Sequence, residues 1–406
     1  MRRTSLLLWA TTFSALGGWP SFCPLPKTRV TTARMATKEM PPSGPSLGDL
    51  KGLAGKSAPL GPVELDKVER SLRAVAGEHE GSLDWSSLRS LLAARAHLPH
   101  KDWASTEESA ASLREILGGP DDEAFRSIFE RVLLDGGWDN ALRATKSMES
   151  HPAGAKPWVV LVTGVNGIRK TTSVYQPWFK SVLEKALGPS YSGATAALPG
   201  GSDSFFRQLD YMIATVASED FRTLYAEEDL ATYSAHKDGI FTRYRTLAEM
   251  LGVLLLREAQ QRGMNVMVET SGRDIAMFRY VDHLFPDGGA YNKLVVHFTI
   301  DDLSFAERSV DARMAREMRV GSAARDADTR AVIAANAGGP YGSEVLRGVR
   351  DDSDRVWSAV LQGNDAGASW YKASIAITPR ESDPWSACAV GADGNRGEDF
   401  EFLPLS

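Results

Sequence analysis

One segment near the middle of the chain restricts the fold more than any other. Residues 158–163 read Trp-Val-Val-Leu-Val-Thr, an uninterrupted apolar run that begins after Pro157. A run of this kind is typical of a strand that is buried on both faces of a parallel sheet. Parallel strands need long crossover connections, which are usually helices. The run therefore predicts an α/β domain.

A glycine-rich loop follows the predicted strand. It reads Gly164-Val-Asn-Gly-Ile-Arg-Lys-Thr-Thr172, and a helical pattern over Ser173–Leu187 comes next. This is the order of a phosphate-binding P-loop, in which backbone N–H groups and a helix N-terminus face the phosphates. We predict a nucleotide site formed by these loop residues: Gly164, Asn166, Gly167, Arg169, Lys170, Thr171 and Thr172.

One position of the loop departs from the motif G-x-x-x-x-G-K-[ST]. Lys170 and Thr171 are expected to reach the phosphates and Mg²⁺, respectively. Arg169 stands where the second motif glycine belongs. Its β-carbon is expected to clash if the loop needs a conformation that only glycine adopts easily, and its charge can hinder the nucleotide or contact it. The alternative interpretation is a glycine-rich turn without a ligand.

Two carboxylates follow the first βα unit. Ligands of open α/β sheets sit outside the carboxyl ends of the strands, where a carboxylate can accept a hydroxyl proton or hold Mg²⁺. Asp203 is the first candidate for this role and Asp210 is the second. Asp203 also precedes a helical run, so it can act as an N-cap, and the two roles are compatible.

Polar residues also end the strand predicted at Val266–Glu269. Four of these residues can orient a substrate or a metal-bound water, with Arg273 pairing with phosphate: Glu269, Thr270, Ser271 and Arg273. The alternative is a polar loop with an N-cap.

Arginines follow another apolar strand, Leu294–Ile300. Arg308 and Arg313 lie on the helix predicted after it, and arginines so placed can stabilise charge on a transferring phosphoryl group. The alternative is a solvated helix face, on which the arginines pair with three acidic residues: Glu307, Asp311 and Glu317.

The first 40 residues resemble a targeting sequence. Arg2 and Arg3 precede an apolar stretch, Leu6–Trp19, that is too short to span a membrane, and a basic, hydroxyl-rich segment follows it. This order resembles the bipartite presequences of algae with complex plastids. We expect a plastid (chloroplast) location. Mitochondrial import, secretion and a tail without a targeting role remain alternatives.

The rest of the chain divides by composition. Residues 41–62 are rich in Pro, Gly and Ser and are predicted to be a disordered linker. Helical spacing over 63–150 predicts a small all-α region that acts as a cap or as a docking surface for a protein partner. Residues 151–325 are predicted to form the α/β domain, and 326–406 its C-terminal extension. The expected fold is a three-layer αβα domain with a mainly parallel sheet.

Charge and composition exclude several classes of protein. The formal net charge is −6, and the first 40 residues carry six basic residues and one acidic residue, so the remaining 366 carry −11. A body this acidic is a poor match for nucleic acid, whose binding depends on phosphate neutralisation. The chain has two cysteines, Cys23 and Cys388, so we expect no disulfide framework. No long apolar run predicts a membrane span.

The order of these segments resembles the zeta-toxin family of P-loop kinases, which includes UDP-N-acetylglucosamine kinases. The resemblance covers roughly Pro157 to Gly321 and includes Asp203-Ser-Phe-Phe-Arg207 and Glu269-Thr-Ser-Gly-Arg273. It implies that Asp203 is the general base, with Arg308 or Arg313 stabilising charge, and that Lys170 and Thr171 serve the phosphates and Mg²⁺. Arg207 and Asp210 are expected beside the substrate. The substitution at Arg169 departs from the family pattern.

These observations predict an ATP- and Mg²⁺-dependent phosphotransferase. The acceptor is expected to be a hydroxyl-bearing small metabolite, with a nucleotide sugar as one candidate. The alternative is a nucleotide-binding regulatory module or an inactive P-loop protein, because Arg169 replaces a motif glycine. A third hypothesis is a docking protein that acts through residues 63–150.

Overall fold

The structure, a computed structural model, describes residues 46–53, 55, 57–148, 156–363, 366–382 and 384–404. The predicted presequence, residues 1–40, lies outside these residues, and so does part of the predicted linker.

Within the part of the chain that the structure describes, seven strands form one sheet in the order β2-β3-β1-β4-β5-β6-β7. The first five are parallel, and β6 and β7 are antiparallel additions at one edge. The strands are β1 (Trp158–Thr163), β2 (Ser204–Phe206), β3 (Asn265–Glu269), β4 (Asn292–Ile300), β5 (Tyr371–Thr378), β6 (Ser386–Val390) and β7 (Phe400–Glu401).

Helices cover both faces of the sheet, and the seven described helices that precede β1 (α1–α7, residues 47–148) form what we call the helical segment. The α-helices of the described residues are α1 (Leu47–Lys51), α2 (Pro62–Ala76), α3 (Trp85–Arg95), α4 (Trp103–Leu117), α5 (Glu123–Ile128), α6 (Glu130–Asp135), α7 (Trp138–Met148), α8 (Lys170–Val174), α9 (Phe179–Leu187), α10 (Leu209–Val216), α11 (Ser218–Leu224), α12 (Leu230–Gln261), α13 (Ala276–Leu284), α14 (Leu303–Ala324), α15 (Thr329–Ala335) and α16 (Leu346–Gln362).

Strand β1 shows why the fold is layered. All six of its residues are buried. Successive side chains of a strand point to opposite faces. Val159 and Leu161 accordingly join the core beneath α10–α13, whereas Val160 and Val162 join the core beneath α8 and α9. The predicted three-layer αβα fold with a mainly parallel sheet is confirmed.

The helical segment shares a core with the sheet. Val68 of α2 and Phe125 of α5 are fully buried and belong to the same hydrophobic cluster as Leu251 of α12 and Val268 of β3. Helix α4 packs along α12, and α7 packs on β2. Removing the helical segment would therefore expose the outer face of α10–α12.

Buried ion pairs join the helical segment to α11 and α12. Arg243 donates from Nε and Nη2 to the two carboxylate oxygens of Glu64, at 2.7 and 2.9 Å. Asp220 accepts from Lys67 Nζ at 2.6 Å and from the Tyr244 hydroxyl at 2.7 Å. Because breaking a buried pair leaves an uncompensated charge, these contacts fix the orientation of the helical segment.

The expected linker needs a correction for residues 46–62. Helix α1 lies inside it, and Leu50, Leu53 and Leu60 are buried in the core. These leucines supply apolar surface that the count of Pro, Gly and Ser overlooked.

Toward the other end of the chain, β5 lies parallel to β4, and of the described strands only β6 and β7 are antiparallel. Among the described residues, no helix is both long and apolar enough to cross a membrane.

Candidate phosphate-binding site

The glycine-rich loop lies at the centre of the carboxyl edge of the sheet. It follows β1, which has β3 on one side and β4 on the other. The chain therefore leaves β1 toward one half of the sheet and later returns to build the other half. Crevices at such a reversal are where open α/β sheets bind ligands.

Two glycines of the loop are required by close packing. Gly164 has φ 127°, and a β-carbon there would lie 2.3 Å from the carbonyl oxygen of Phe298. Gly167 has φ 87°, and its β-carbon would lie 2.6 Å from the carbonyl oxygen of Ala306. The loop thus packs directly against the backbone of β4 and α14. Carbonyl groups of these two elements occupy the space that side chains at positions 164 and 167 would need.

Arg169 takes the conformation expected of the glycine that it replaces. Its φ of 63° and ψ of 30° are left-handed, and it is the one non-glycine among the described residues with positive φ. That conformation costs roughly 1–2 kcal/mol. The guanidinium lies over the Trp385 ring, 4.1 Å from its centroid, a contact worth about 0.5–2 kcal/mol. Burial lowers the pKa of Arg169.

The side chains of the next two residues meet a carboxylate from β3. Glu269 ends β3 and is paired in register with Val162 of β1. Its Oε2 accepts a hydrogen bond of 2.6 Å from the Thr171 hydroxyl, and its Oε1 lies 3.3 Å from Lys170 Nζ. Lys170 Nζ also donates to the Val165 carbonyl at 2.9 Å. Burial lowers the pKa of Lys170, and the charge of Glu269 opposes that shift.

Asn166 and Thr172 complete the predicted loop residues. A β-carbon on Gly339 would lie 3.8 Å from both Asn166 Nδ2 and Asp210 Oδ2, so a second glycine-rich segment lies close to both side chains. Thr172 is half-buried in the short helix α8.

The two candidate bases lie at opposite ends of the strands, Asp203 at the amino end of β2 and Asp210 beyond its carboxyl end. Asp203 precedes β2, whose first residue is in register with Asn265, the first residue of β3. It is therefore about 16 Å along the strands from the edge where Glu269 lies. Its carboxylate accepts from Gly200 N–H at 2.8 Å and lies 2.5 Å from Lys180 Nζ. The expectation that Asp203 is the base is wrong, because β2 begins, rather than ends, beside it.

Asp210 is the candidate base that lies at the carboxyl ends of the strands, where the glycine-rich loop also lies. It lies in the first turn of α10, just after β2 ends, and its Oδ2 is close to Gly339. Burial raises the pKa of Asp210, while the charges of Lys237 and Arg313 lower it. A carboxylate in such surroundings holds a proton at higher pH than an ordinary aspartate does.

Arg207 is not available to a substrate. It is 4% exposed, and its Nη1 donates to Glu249 Oε2 at 2.6 Å and to the Tyr280 hydroxyl at 3.1 Å. The predicted role beside the substrate is therefore wrong, because the side chain turns from the end of β2 into the helical layer and forms a buried ion pair.

Thr270 and Arg273 differ in their surroundings. The Thr270 N–H donates to the Val162 carbonyl at 2.9 Å, and its hydroxyl accepts from the Gly272 N–H at 3.4 Å. Arg273 is exposed and donates to the Tyr341 hydroxyl at 2.9 Å. Thr270 therefore shapes the turn after β3, whereas Arg273 lies on the surface against Tyr341.

Helical geometry separates the two candidate arginines. Ala306 and Val310 of α14 face the loop at Gly167. Arg313 is seven residues beyond Ala306, about two turns, so it projects from the same face. Its Nη2 donates to the Gly339 carbonyl at 3.4 Å. Arg308, only two residues beyond Ala306, points about 200° away, is exposed, and pairs with Glu381 at 2.7 Å. The expectation that Arg308 serves the site is wrong.

Lys237 is a buried cation near Asp210 that sequence reasoning missed. It is 1% exposed on α12, lies 2.7 Å from both oxygens of Glu317, and influences the pKa of Asp210. Glu317 also accepts from the Ala337 N–H at 2.8 Å, which fixes the segment 336–342 beside the loop. A lysine among the buried residues Tyr233, Ile240 and Phe241 of one helix was the available signal.

Fold and loop together define a class of site: a P-loop-type glycine loop at the carboxyl edge of a three-layer α/β sheet. No family model matches the chain, and no curated protein matches it. Among solved structures it is similar to a chain from the structural characterisation of the PezAT chromosomal toxin-antitoxin system of Streptococcus pneumoniae. That likeness has 10% sequence identity and a TM-score of 0.31, and it covers 65% of this chain and 81% of the other. The fold class rests on the sheet topology instead.

Proposed function

We propose that the protein is an ATP- and Mg²⁺-dependent phosphotransferase whose acceptor is a hydroxyl group of a small metabolite. The observation that carries the proposal is the meeting of Lys170, Thr171 and Glu269 at the end of β1 and β3. A buried cation, a hydroxyl and a carboxylate at one glycine-rich loop are the groups that phosphoryl transfer from a nucleotide requires.

The loop, Thr171 and Glu269 fit a nucleotide with its metal. Gly164 and Gly167 let the loop pack directly on the backbone of β4 and α14, and the backbone N–H groups of a loop of this kind are the groups that bind phosphate oxygens. The Thr171 hydroxyl and the Glu269 carboxylate are hard oxygen donors of the kind that Mg²⁺ prefers. Mg²⁺ bound there would neutralise phosphate charge.

Three side chains of this protein would perform the chemistry. Lys170 would pair with phosphate oxygens and Arg313 would stabilise the charge that develops on them. Asp210, whose pKa is raised by burial, would accept the proton of the acceptor hydroxyl. Positioning and electrostatics account for most of the catalysis in such a site.

A nucleotide sugar is the acceptor that we propose to test first. This choice follows from the sequence resemblance to P-loop kinases of that substrate class. Arg313 lies beside both Asp210 and Gly339, and an arginine in this position suits an acceptor that carries phosphate.

The test is a pair of measurements on matched lysine variants. ATP binding is measured by calorimetry with and without Mg²⁺, and ADP formation is measured with a panel of nucleotide sugars. We expect Lys170→Ala to lose most of the activity and Lys180→Ala, which lies at the far edge beside Asp203, to keep it. A Lys170→Ala protein with full activity contradicts the proposal.

The alternative of an inactive or regulatory module predicts binding without turnover for every acceptor. Arg169 was the reason for that alternative, yet its side chain contacts Trp385 and its backbone is left-handed. The substitution therefore does not by itself favour an inactive loop. Binding of ATP and Mg²⁺ without ADP formation across the panel would favour the module.

Plastid targeting and a protein partner of residues 63–150 stay proposals. The first rests on residues outside those that the structure describes, and is tested by fusing residues 1–40 to a fluorescent protein in an alga with complex plastids. For the second, the helices of this segment bury much of their apolar surface against α10–α12. Co-purification with and without nucleotide tests it.

A further inference from the structure

The arginine that replaces the motif glycine is held by two aromatic rings near the end of the chain. The guanidinium carbon of Arg169 lies 4.1 Å from the ring centroid of Trp385 and 5.7 Å from that of Phe402. Both rings are largely buried, at 8% and 7% exposure. We call Trp385 and Phe402 the aromatic clamp. Among the described residues, no carboxylate pairs with Arg169, so these rings are its partners.

The same stretch of chain is fastened to the segment that follows the loop. Gln176 forms two hydrogen bonds with the backbone of Leu403, donating at 3.1 Å and accepting at 2.9 Å. The Trp178 indole donates to the Glu401 carbonyl at 2.8 Å. The Phe402 N–H donates to the Trp385 carbonyl at 2.8 Å, which joins the two rings of the clamp. The clamp is thus fixed relative to α8 and α9 independently of Arg169.

We infer that Trp385 and Phe402 are positioning residues that hold residue 169 in the left-handed conformation and keep its cation outside the phosphate cradle. A residue with a β-carbon resists that conformation, whereas glycine does not. Released from the rings, Arg169 would relax toward a right-handed conformation and shift the N–H groups of residues 166–171. The effect on nucleotide rests on the proposed function, but the hold on the loop does not.

The first experiment measures the loop without nucleotide. Hydrogen exchange of the amides of residues 166–171 is compared in the full chain for the wild type, Trp385→Leu and Trp385→Phe. Each is made with Arg169 and with Arg169→Gly, which needs no clamp. Phe402→Leu is a milder variant in case Trp385→Leu fails to fold, and a melting temperature is recorded for each protein.

We expect Trp385→Leu to accelerate exchange about fivefold when Arg169 is present, the factor that corresponds to about 1 kcal/mol. Trp385→Phe keeps a ring and should preserve most of the protection. In the Arg169→Gly background, Trp385→Leu should leave exchange unchanged. Equal acceleration in both backgrounds, or none with Arg169, overturns the inference, because the ring would then act through its own packing or not at all.

The second experiment measures the dissociation constant for ATP with Mg²⁺ in the same variants. We expect Trp385→Leu to weaken binding about fivefold with Arg169 and not with Arg169→Gly. An unchanged dissociation constant despite faster exchange overturns the positioning role. If the wild type binds no ATP while the exchange pattern is as expected, the proposed function fails and the hold of the clamp on the loop stands.

Discussion

At the scale of single residues, neighbouring charge and burial decide which carboxylate can act. Asp203 and Asp210 are only seven positions apart in the sequence. Asp203 pairs with Lys180 at the amino ends of the strands, away from the glycine-rich loop. Asp210 lies near Lys237 and Arg313 at the carboxyl ends. Burial raises the pKa of Asp210. A base with a raised pKa is better matched to work near neutral pH.

Exchanging each aspartate for asparagine tests this assignment. We expect Asp210→Asn to lower kcat by about 10²–10⁴, the usual contribution of a general base. Asp203→Asn is the matched control and should change kcat little, although it removes the pair with Lys180. Steady-state ADP formation with a productive acceptor is the measurement. If Asp203→Asn abolished turnover while Asp210→Asn did not, the assignment would be reversed.

The pH dependence of activity follows from the same shift. Asp210 accepts a proton only when it is ionised, so kcat/KM should rise with pH through a pKa above that of an ordinary aspartate. Because the folded pKa exceeds the unfolded one, the stability contributed by Asp210 is lost as pH rises through the folded pKa. Asp210→Asn should therefore raise the melting temperature above that pH. A kcat/KM profile without an acid limb that depends on Asp210 would contradict the first statement. A melting temperature that Asp210→Asn does not raise above that pH would contradict the second.

At the scale of elements, α14 and the glycine loop form one packed unit. The carbonyl of Ala306 and the side chain of Val310 occupy the space that a β-carbon on Gly167 would need. The same helix face carries Arg313 to the Gly339 carbonyl. The position of the arginine relative to the loop is therefore set by backbone contact and not by flexible side chains.

Substituting the loop glycine should disturb this unit. We expect Gly167→Ala to destabilise the protein by about 1–3 kcal/mol, because the backbone is left-handed and the added carbon overlaps a carbonyl. ATP affinity should fall as well, since α14 must move away from the loop. Gly263→Ala, also left-handed but in open space, is the control and should lower stability without changing affinity. Urea unfolding and calorimetry separate the two effects.

At the scale of the whole molecule, the helical segment and the sheet should unfold together. Phe125 and Val68 share a continuous core with α12 and β3, and the pair of Arg243 with Glu64 ties the two parts. Buried apolar surface of this kind links their stabilities, since neither part can lose the other without exposing its own core.

A core substitution far from the site measures this coupling. Phe125→Ala should lower the free energy of unfolding by about 3–5 kcal/mol. Intrinsic fluorescence and circular dichroism should still report one coincident transition. Val63→Ala, at a residue that is 68% exposed, should change stability little. Two separate transitions would indicate that the helical segment folds independently of the sheet.

The sequence by itself determined the parts of this protein that depend on local pattern. An apolar run of six residues predicted the central strand, and the loop after it predicted the cradle, because strand burial and glycine conformation act over a few neighbouring residues. The roles assigned to Asp203, Arg207 and Arg308 were wrong. Each depends on which end of a strand or which face of a helix the side chain occupies.

Only the tertiary structure decided which distant residues meet the loop. Glu269 reaches Thr171 because β3 lies beside β1, and Lys237 approaches Asp210 because α12 packs on α10. Trp385 meets Arg169 because β6 is added at the sheet edge more than two hundred positions later. Contacts over such separations arise from packing of the whole chain, which no short pattern records.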